Sequence, residues 1–272
     1  MDYDPKELLD ASLVTKVLAP DCLSGKRALV TGARFCSIGS ATAVALHACG
    51  AELAIHAESE AVLAPTAAYF DENGIAHKSF VADFSDPGEA TSLGHQVQEA
   101  MGGIDIVVHV AGLTQQTELE AVTSGDLHRL YSINSVSAVM LTQALLPGMV
   151  KRGGGHVILF SSIAARRVLP GHFFGYAMTK AAVEPFAAYL AVAHGHDGIV
   201  SHVVVPGVTD NERHRSDPDL HQALVQDASR QPTGRLVQPI EIGANVAMLC
   251  TDLAQQANGS SVLLDGGRLQ PF

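Results

Sequence analysis

Short runs of consecutive apolar residues alternate along this chain with longer stretches whose apolar positions recur every three to four residues. The runs are rich in β-branched residues and read as buried strands over 27–30, 52–56, 78–81, 104–109, 156–160, 200–205 and 261–264. The amphipathic stretches read as helices over 38–49, 61–73, 87–101, 126–150, 175–194 and 239–251. Pro87 stands at a helix start, where a missing N–H costs nothing, and Pro206-Gly207 ends the sixth strand. Strands that are apolar throughout and separated by helices predict a parallel sheet covered on both faces, with right-handed crossovers. The expected fold is therefore α/β, a single-domain doubly wound parallel sheet (a Rossmann fold) over 26–272. Residues 1–25 fit no βα unit and are expected to form an arm or short helix packed outside. Residues 208–235 are polar and irregular. Placed after a strand's carboxyl end, they are expected to form a substrate lid.

Composition narrows the function classes. The chain has 272 residues, 47% of them hydrophobic and 17% charged, enough to bury a sizeable core. Lys and Arg number 17 against 28 Asp and Glu, a net charge of −11. An acidic chain without basic runs is a poor partner for nucleic acid or an anionic membrane surface. No uninterrupted apolar run is long enough to span a bilayer, and the N-terminus has no apolar signal core. Cys22, Cys36, Cys49 and Cys250 lack the close spacing of a zinc knuckle or redox dithiol. They read as free thiols in a reducing cytoplasm, and a disulfide would need a pairing made by the fold. No metal site is expected.

The first strand runs into Thr31-Gly32-Ala33-Arg34-Phe35-Cys36-Ser37-Ile38-Gly39, followed by a helix. A turn between the first strand of a parallel sheet and a helix N-terminus is where a pyrophosphate docks. Gly32 permits the tight turn and Gly39 the close approach of helix to sheet. The segment resembles the T-G-x3-G-x-G mark of short-chain dehydrogenases/reductases, with one residue inserted and Ser37 in place of the middle glycine. The Ser37-Ile38 pair is similar to the enoyl-acyl-carrier-protein reductase branch. Ser37 would offer its N–H and hydroxyl to a phosphate.

The resemblance covers nearly the whole chain and implies a nicotinamide cofactor. At the end of the second strand Glu58 would repel the extra phosphate of NADP while Arg34 would attract it, and the balance tips to NAD. A second possibility is that Glu58 is only a solvated acid at a helix start. After the third strand, Asp83-Phe84 corresponds to the adenine-binding position, although Asp83 could instead cap the helix near Pro87. His109-Val110-Ala111-Gly112 resembles the family's N-N-A-G, with Ala111-Gly112 placing backbone by the ribose and His109 read as structural. Pro206-Gly207-Val208-Thr209 resembles the segment that contacts the carboxamide. Leu264-Asp265-Gly266-Gly267 resembles a D-G-G end that is structural or part of a subunit interface.

Tyr176 and Lys180 stand at i and i+4 and share one helix face. Hydride transfer to a carbonyl needs a proton donor beside the oxygen, and a nearby cation favours the phenolate of a tyrosine. A bare Y-x3-K arises by chance in many amphipathic helices. Here it follows a strand ending in Ser161-Ser162, which resembles the family's catalytic-serine strand. The resemblance implies that Ser162 positions the substrate oxygen, with Ser161 as the alternative. It also implies that Asn134, an unfavourable helix-interior residue, distorts the helix and sustains a proton relay through Lys180.

The expected activity is interconversion of a secondary alcohol and a ketone, with Tyr176 as general acid/base. Two alternatives are an enoyl-thioester reductase, disfavoured because that branch spaces its Tyr and Lys more widely, and a non-catalytic dinucleotide sensor, disfavoured by the complete set of four. The segment with Leu169, Pro170, His172, Phe173 and Phe174 should line the substrate pocket with the lid. Its phenylalanines suggest an apolar or ring-bearing small molecule, and His172, Arg213 or His214 could meet a carboxylate or phosphate. The family implies a homo-oligomer, a tetramer or dimer.

Overall fold

The apolar runs form seven strands: β1 (Arg27–Thr31), β2 (Glu52–Ala57), β3 (His77–Val81), β4 (Ile106–His109), β5 (Gly155–Phe160), β6 (Ile199–Pro206) and β7 (Ser261–Leu264). In the computed structural model, which describes residues 4, 6–168, 171, 173–229 and 231–269, they pair in one sheet of order β3-β2-β1-β4-β5-β6-β7. Every pairing is parallel, with Leu29 opposite Ala54 on one side and Val107 on the other. The order reverses between β1 and β4. The loops at the carboxyl ends of these two strands diverge there, which opens the crevice where α/β sheets take ligands.

Helices α1 (Lys6–Leu9) and α2 (Ser12–Val17) precede the sheet. Then follow α3 (Ile38–Ala48), α4 (Glu60–Glu72), α5 (Pro87–Met101), α6 (Ser124–Tyr131), α7 (Ser137–Lys151), α8 (Phe174–Ala181), α9 (Val183–His194), α10 (Glu212–Arg215), α11 (Pro218–Ala228) and α12 (Pro239–Leu249). The two faces of each strand feed two cores. Val30, Ile55, Val108, Ile158 and Val204 face α3 and α12, whereas Leu29, Val107, Leu159 and Val203 face α5, α7 and α9. The period of two along each strand produces this split. At the outer end of the sheet, Asp105 accepts from the Arg27 (2.9 Å) and Arg152 (3.0 Å) side chains, which joins β1 to the end of α7.

The structure adds detail to four parts of the sequence reading. The helix over 126–150 is interrupted by a π-helical turn at Ser132–Val136, centred on Asn134. The helix over 175–194 is divided at Ala182, because Pro185 has no N–H to give the carbonyl one turn back. The polar region 208–235 is largely helical in its described residues. Asp217 caps α11 by accepting from Leu220 N–H (3.1 Å), and Pro218 opens it. The arm is anchored, since Leu8, Leu9, Val14 and Leu23 are buried in the core shared with α3 and α12. The continuous helical run 124–151 is by length and composition apolar enough to cross a membrane. Within this fold it buries Leu141, Leu145 and Met149 under the sheet.

Candidate active site

The glycine turn has no room for larger residues. Gly32 has φ 68°, and a Cβ there would lie 2.7 Å from the Ala111 backbone. A Cβ on Gly39 would collide with the Gly32 carbonyl. These two glycines let β1, the start of α3 and the loop after β4 converge. His56 braces the turn from below. It accepts from Gly32 N–H at Nδ1 (3.4 Å), lies 2.9 Å from the Ala82 carbonyl through Nε2, and stacks on Phe84 at 4.4 Å. Burial holds His56 down at about 4, so it is neutral at pH 7.

Ser37 is the cap of α3. Its hydroxyl donates to Arg34 O (2.8 Å) and accepts from Gly39 N–H (3.1 Å), while its own N–H donates to Ser40 Oγ (2.9 Å). Both groups expected to serve a phosphate are thus spent on a capping box, because helix ends must satisfy their own N–H groups first. Ile38 opens the helix and packs against the core. Arg34 and Glu58, both exposed at the crevice edge, form an ion pair with each other.

On the adenine side, Asp83 is exposed and accepts from Ser85 N–H (2.9 Å). The cap of α5 is Asp86, which accepts from Gly88 N–H (2.8 Å). Asp83 therefore does not cap this helix, since it lies three positions before the cap residue. The Phe84 side chain is buried in the core beside His56. His109 is buried and lies 2.9 Å from Thr142 Oγ1, a structural pairing.

The chemistry-bearing residues converge behind the β4 and β5 ends. Asn134 accepts from Leu113 N–H (2.7 Å) and donates to Leu113 O (2.9 Å) and Thr179 Oγ1 (2.9 Å). The π turn swings Asn134 inward to make these bonds. A Cβ on Gly112 would lie 3.1 Å from both Asn134 Oδ1 and Lys180 Nζ, so this glycine is the floor between them. Lys180 is buried, donates to Phe160 O (3.0 Å), and is pulled down by burial to about 8. The Tyr176 hydroxyl meets the hydroxyls of Ser162 and Thr114. Burial raises Tyr176 above its ordinary value, and these two bonds pull the other way.

Ser161 faces elsewhere, bonding Lys180 O (2.9 Å) and Glu184 (3.0 Å), and Glu184 pairs with Arg166. Of the two candidate serines, Ser162 is the one at Tyr176. Pro206 ends β6, and a Cβ on Gly207 would come 2.7 Å from Asp265. Val208 accepts from Val237 N–H (3.1 Å), and buried Thr209 donates to Gly207 O (3.1 Å). The His214 ring is held on the Thr209 carbonyl (2.9 Å), and Glu212 N–H donates to Cys36 O (3.1 Å), which closes α10 onto the glycine turn. Phe173 sits at the start of α8, and a Cβ on Gly171 would touch both its ring and the Gln116 amide, each at 2.9 Å. His172, Leu169 and Pro170 lie outside the described residues. Asp265 accepts from Gly267 N–H (2.9 Å) and Leu269 N–H (2.7 Å), a structural turn.

Residues 32–268 match a family model described as "Enoyl-(Acyl carrier protein) reductase". The chain belongs to the short-chain dehydrogenase/reductase family. It is 32% identical over 248 residues to D-threitol dehydrogenase of Mycolicibacterium smegmatis, covering 90% of this chain and 93% of that protein. It is 30% identical to L-rhamnose 1-dehydrogenase (NAD(P)(+)) of a Sphingomonas species, covering 90% and 96%. L-sorbose reductase of Gluconobacter frateurii, solved with NADPH and L-sorbose, superposes with a TM-score of 0.83 at 27% identity, covering 93% of this chain and 100% of that one.

As a short-chain dehydrogenase/reductase, the protein is an NAD(P)-dependent oxidoreductase acting on alcohol and carbonyl groups. The crevice suits such a dinucleotide. The glycines leave backbone space at the start of α3, the helix N-terminus favours anions, and the charged pair stands at the far end. Among the described residues no three His, Cys, Asp or Glu side chains gather to hold a metal. Sequence reasoning missed His56 as the brace of the glycine turn, and Thr114 at Tyr176. His56 looked like one more alternating strand residue, and Thr114 lay in a loop without periodicity.

Proposed function

We propose that this enzyme interconverts a secondary alcohol and a ketone, with Tyr176 as the proton donor and acceptor. The observation that carries this is the meeting of the Tyr176, Ser162 and Thr114 hydroxyls one helical turn from buried Lys180. The nicotinamide supplies or accepts the hydride when bound. Ser162 holds the substrate oxygen toward Tyr176, and Tyr176 gives that oxygen its proton in reduction or takes it in oxidation. Lys180 would hold ribose hydroxyls and stabilise the phenolate, and Asn134 keeps the loop after Gly112 in place for the relay. Backbone at Gly32, Gly39, Ala111 and Gly112 would hold the pyrophosphate and ribose. Asp83 and the Phe84 backbone would hold the adenine, and Pro206, Gly207, Val208 and Thr209 the carboxamide. The spacing of one turn between Tyr176 and Lys180 supports alcohol chemistry over enoyl reduction.

NAD is the preferred cofactor in this reading. Arg34 must leave Glu58 before it can take a 2′-phosphate, and would then leave that carboxylate facing the phosphate. The polar Thr114 at Tyr176 and the Gln116 amide near the Phe173 ring support a small hydroxylated substrate over a wholly apolar one. Residues 208–235 act as its lid over the single domain.

The test is Tyr176→Phe. It should bind cofactor with unchanged affinity while turnover falls at least about a thousandfold, within the range expected for a lost general acid combined with lost orientation. Turnover within tenfold of wild type, across a panel of polyols and ketoses, would remove Tyr176 from the chemistry.

A further inference from the structure

The four cysteines show no motif spacing, yet the fold gathers three of them at the foot of the sheet. Leu23 N–H donates to Cys49 O at 2.8 Å, which sets residues 22 and 49 side by side. Residues 20–24 of the arm lie across the end of α3. Gly50, at φ 91°, has no room for a Cβ beside Pro20 O (3.2 Å) and Ser24 N (3.3 Å). The Cys22 thiol bonds the Cys49 thiol, and the charge of Cys49 is felt in turn by Cys250 at the end of α12. Cys22 is exposed, whereas Cys49 and Cys250 are buried. One thiol therefore faces solvent with a second directly behind it. The hydrogen bond joins residue 23 to residue 49, which places Cys22 one residue from the backbone contact with Cys49.

We propose that Cys22 and Cys49 are a peroxide-oxidisable dithiol, a modification site at which a disulfide bolts the arm to the end of the cofactor helix. Cys22 is the sulfur that peroxide reaches. Its attack breaks the peroxide O–O bond, forming the sulfenic acid of Cys22 and releasing water. The sulfur of Cys49 then displaces the sulfenic oxygen. An S–S bond forms, the S–O bond breaks, and a second water leaves with the thiol proton. The sum is two thiols and one peroxide giving one disulfide and two waters, with the peroxide reduced. Burial pushes Cys49 up to about 12, so it is a poor thiolate for outside reagents and acts by contact. The closed loop contains β1, the glycine turn and α3, the whole pyrophosphate-binding unit. This chemistry is separate from hydride transfer and stands whether or not the proposed substrate reading does.

The experiment treats the reduced full-length protein with hydrogen peroxide, alkylates the remaining thiols after unfolding, and maps the peptides by mass spectrometry. The expected product has residues 22 and 49 joined, two hydrogens lighter, with Cys36 and Cys250 alkylated. Cys22→Ser, at an exposed position, should keep the fold by circular dichroism and lose the cross-link, as should Cys49→Ser. Sulfinic or sulfonic Cys22 beside an alkylated Cys49 would overturn the proposal. So would a Cys22–Cys22 dimer between chains, or four alkylated thiols under peroxide that fully oxidises free glutathione.

Discussion

Arg34 and Glu58 sit on different loops, and each is the other's counter-charge. Both are exposed, so the pair adds little to stability, but it governs what a third charge experiences. Removing the carboxylate should free Arg34 for a 2′-phosphate. Glu58→Ala is expected to tighten NADPH about tenfold and to weaken NADH about tenfold through loss of its hold on the ribose diol. Fluorescence titration of both cofactors checks this, and an unchanged NADPH:NADH ratio would place Glu58 outside the ribose site. Lys180 shows the opposite compromise. Its buried ammonium bonds one carbonyl and loses water, which pulls it down to about 8. Tyr176 is raised by the same dry surroundings, so the phenol is its form at neutral pH. In the proposed reaction that form is the proton donor.

At the scale of elements, the arm is tied to the segment 208–235, the proposed lid. Arg215 of α10 makes a two-pronged contact with Asp210 (3.0 and 2.8 Å) and reaches Glu7 of α1 at 2.8 Å. His221 of α11 lies 3.3 Å from the same Asp210. Asp210 is buried and Glu7 exposed, so the two contacts differ in worth. Glu7→Gln should cost no more than about 1 kcal/mol of lid closure, hence at most about a fivefold rise in KM. Asp210→Asn, which removes the buried charge of the two-pronged contact, should cost several times that. Cofactor affinity should be unchanged in Glu7→Gln. Steady-state kinetics with cofactor titration measures both, and equal effects of the two substitutions would refute the latch. The π turn at Ser132–Val136 is the other decisive element. An unbroken α-helix would leave Asn134 without its grip on Leu113.

For the whole molecule, acid is the weak side. Burial holds His56 at about 4, His109 at about 3 and His156 at about 4, against 6.5 when unfolded. The folded state keeps them neutral, while the unfolded state binds protons below 6.5. Stability is therefore fully present above about pH 6.5 and falls as pH drops toward the folded values. By pH 5 each histidine should withdraw on the order of 2 kcal/mol, together a large part of a domain's stability. Urea midpoints at pH 7, 6 and 5 should fall with a slope of two to three protons. A slope below one proton would mean these rings titrate freely in the fold.

Much of the architecture was legible along the chain. Strand and helix positions follow from local periodicity, and β1, β2, β4, β5 and β6 are buried on both faces, so their runs are largely apolar. Gly32, Gly39, Tyr176 and Lys180 were legible because backbone space and helix-face spacing are local properties. What the chain order could not carry was anything made by residues far apart. The choice of Ser162 over Ser161 depends on how β5 meets α8. Burial of Phe84, the His56 brace and the Arg34–Glu58 pair each join separate βα units. The capping role of Ser37 was not legible, because it depends on how the turn folds back on the start of α3. Cys22 and Cys49 became neighbours through a backbone hydrogen bond between the arm and the end of a helix. Periodicity records which face of an element is apolar. Only the packing of elements decides which polar and sulfur atoms face one another.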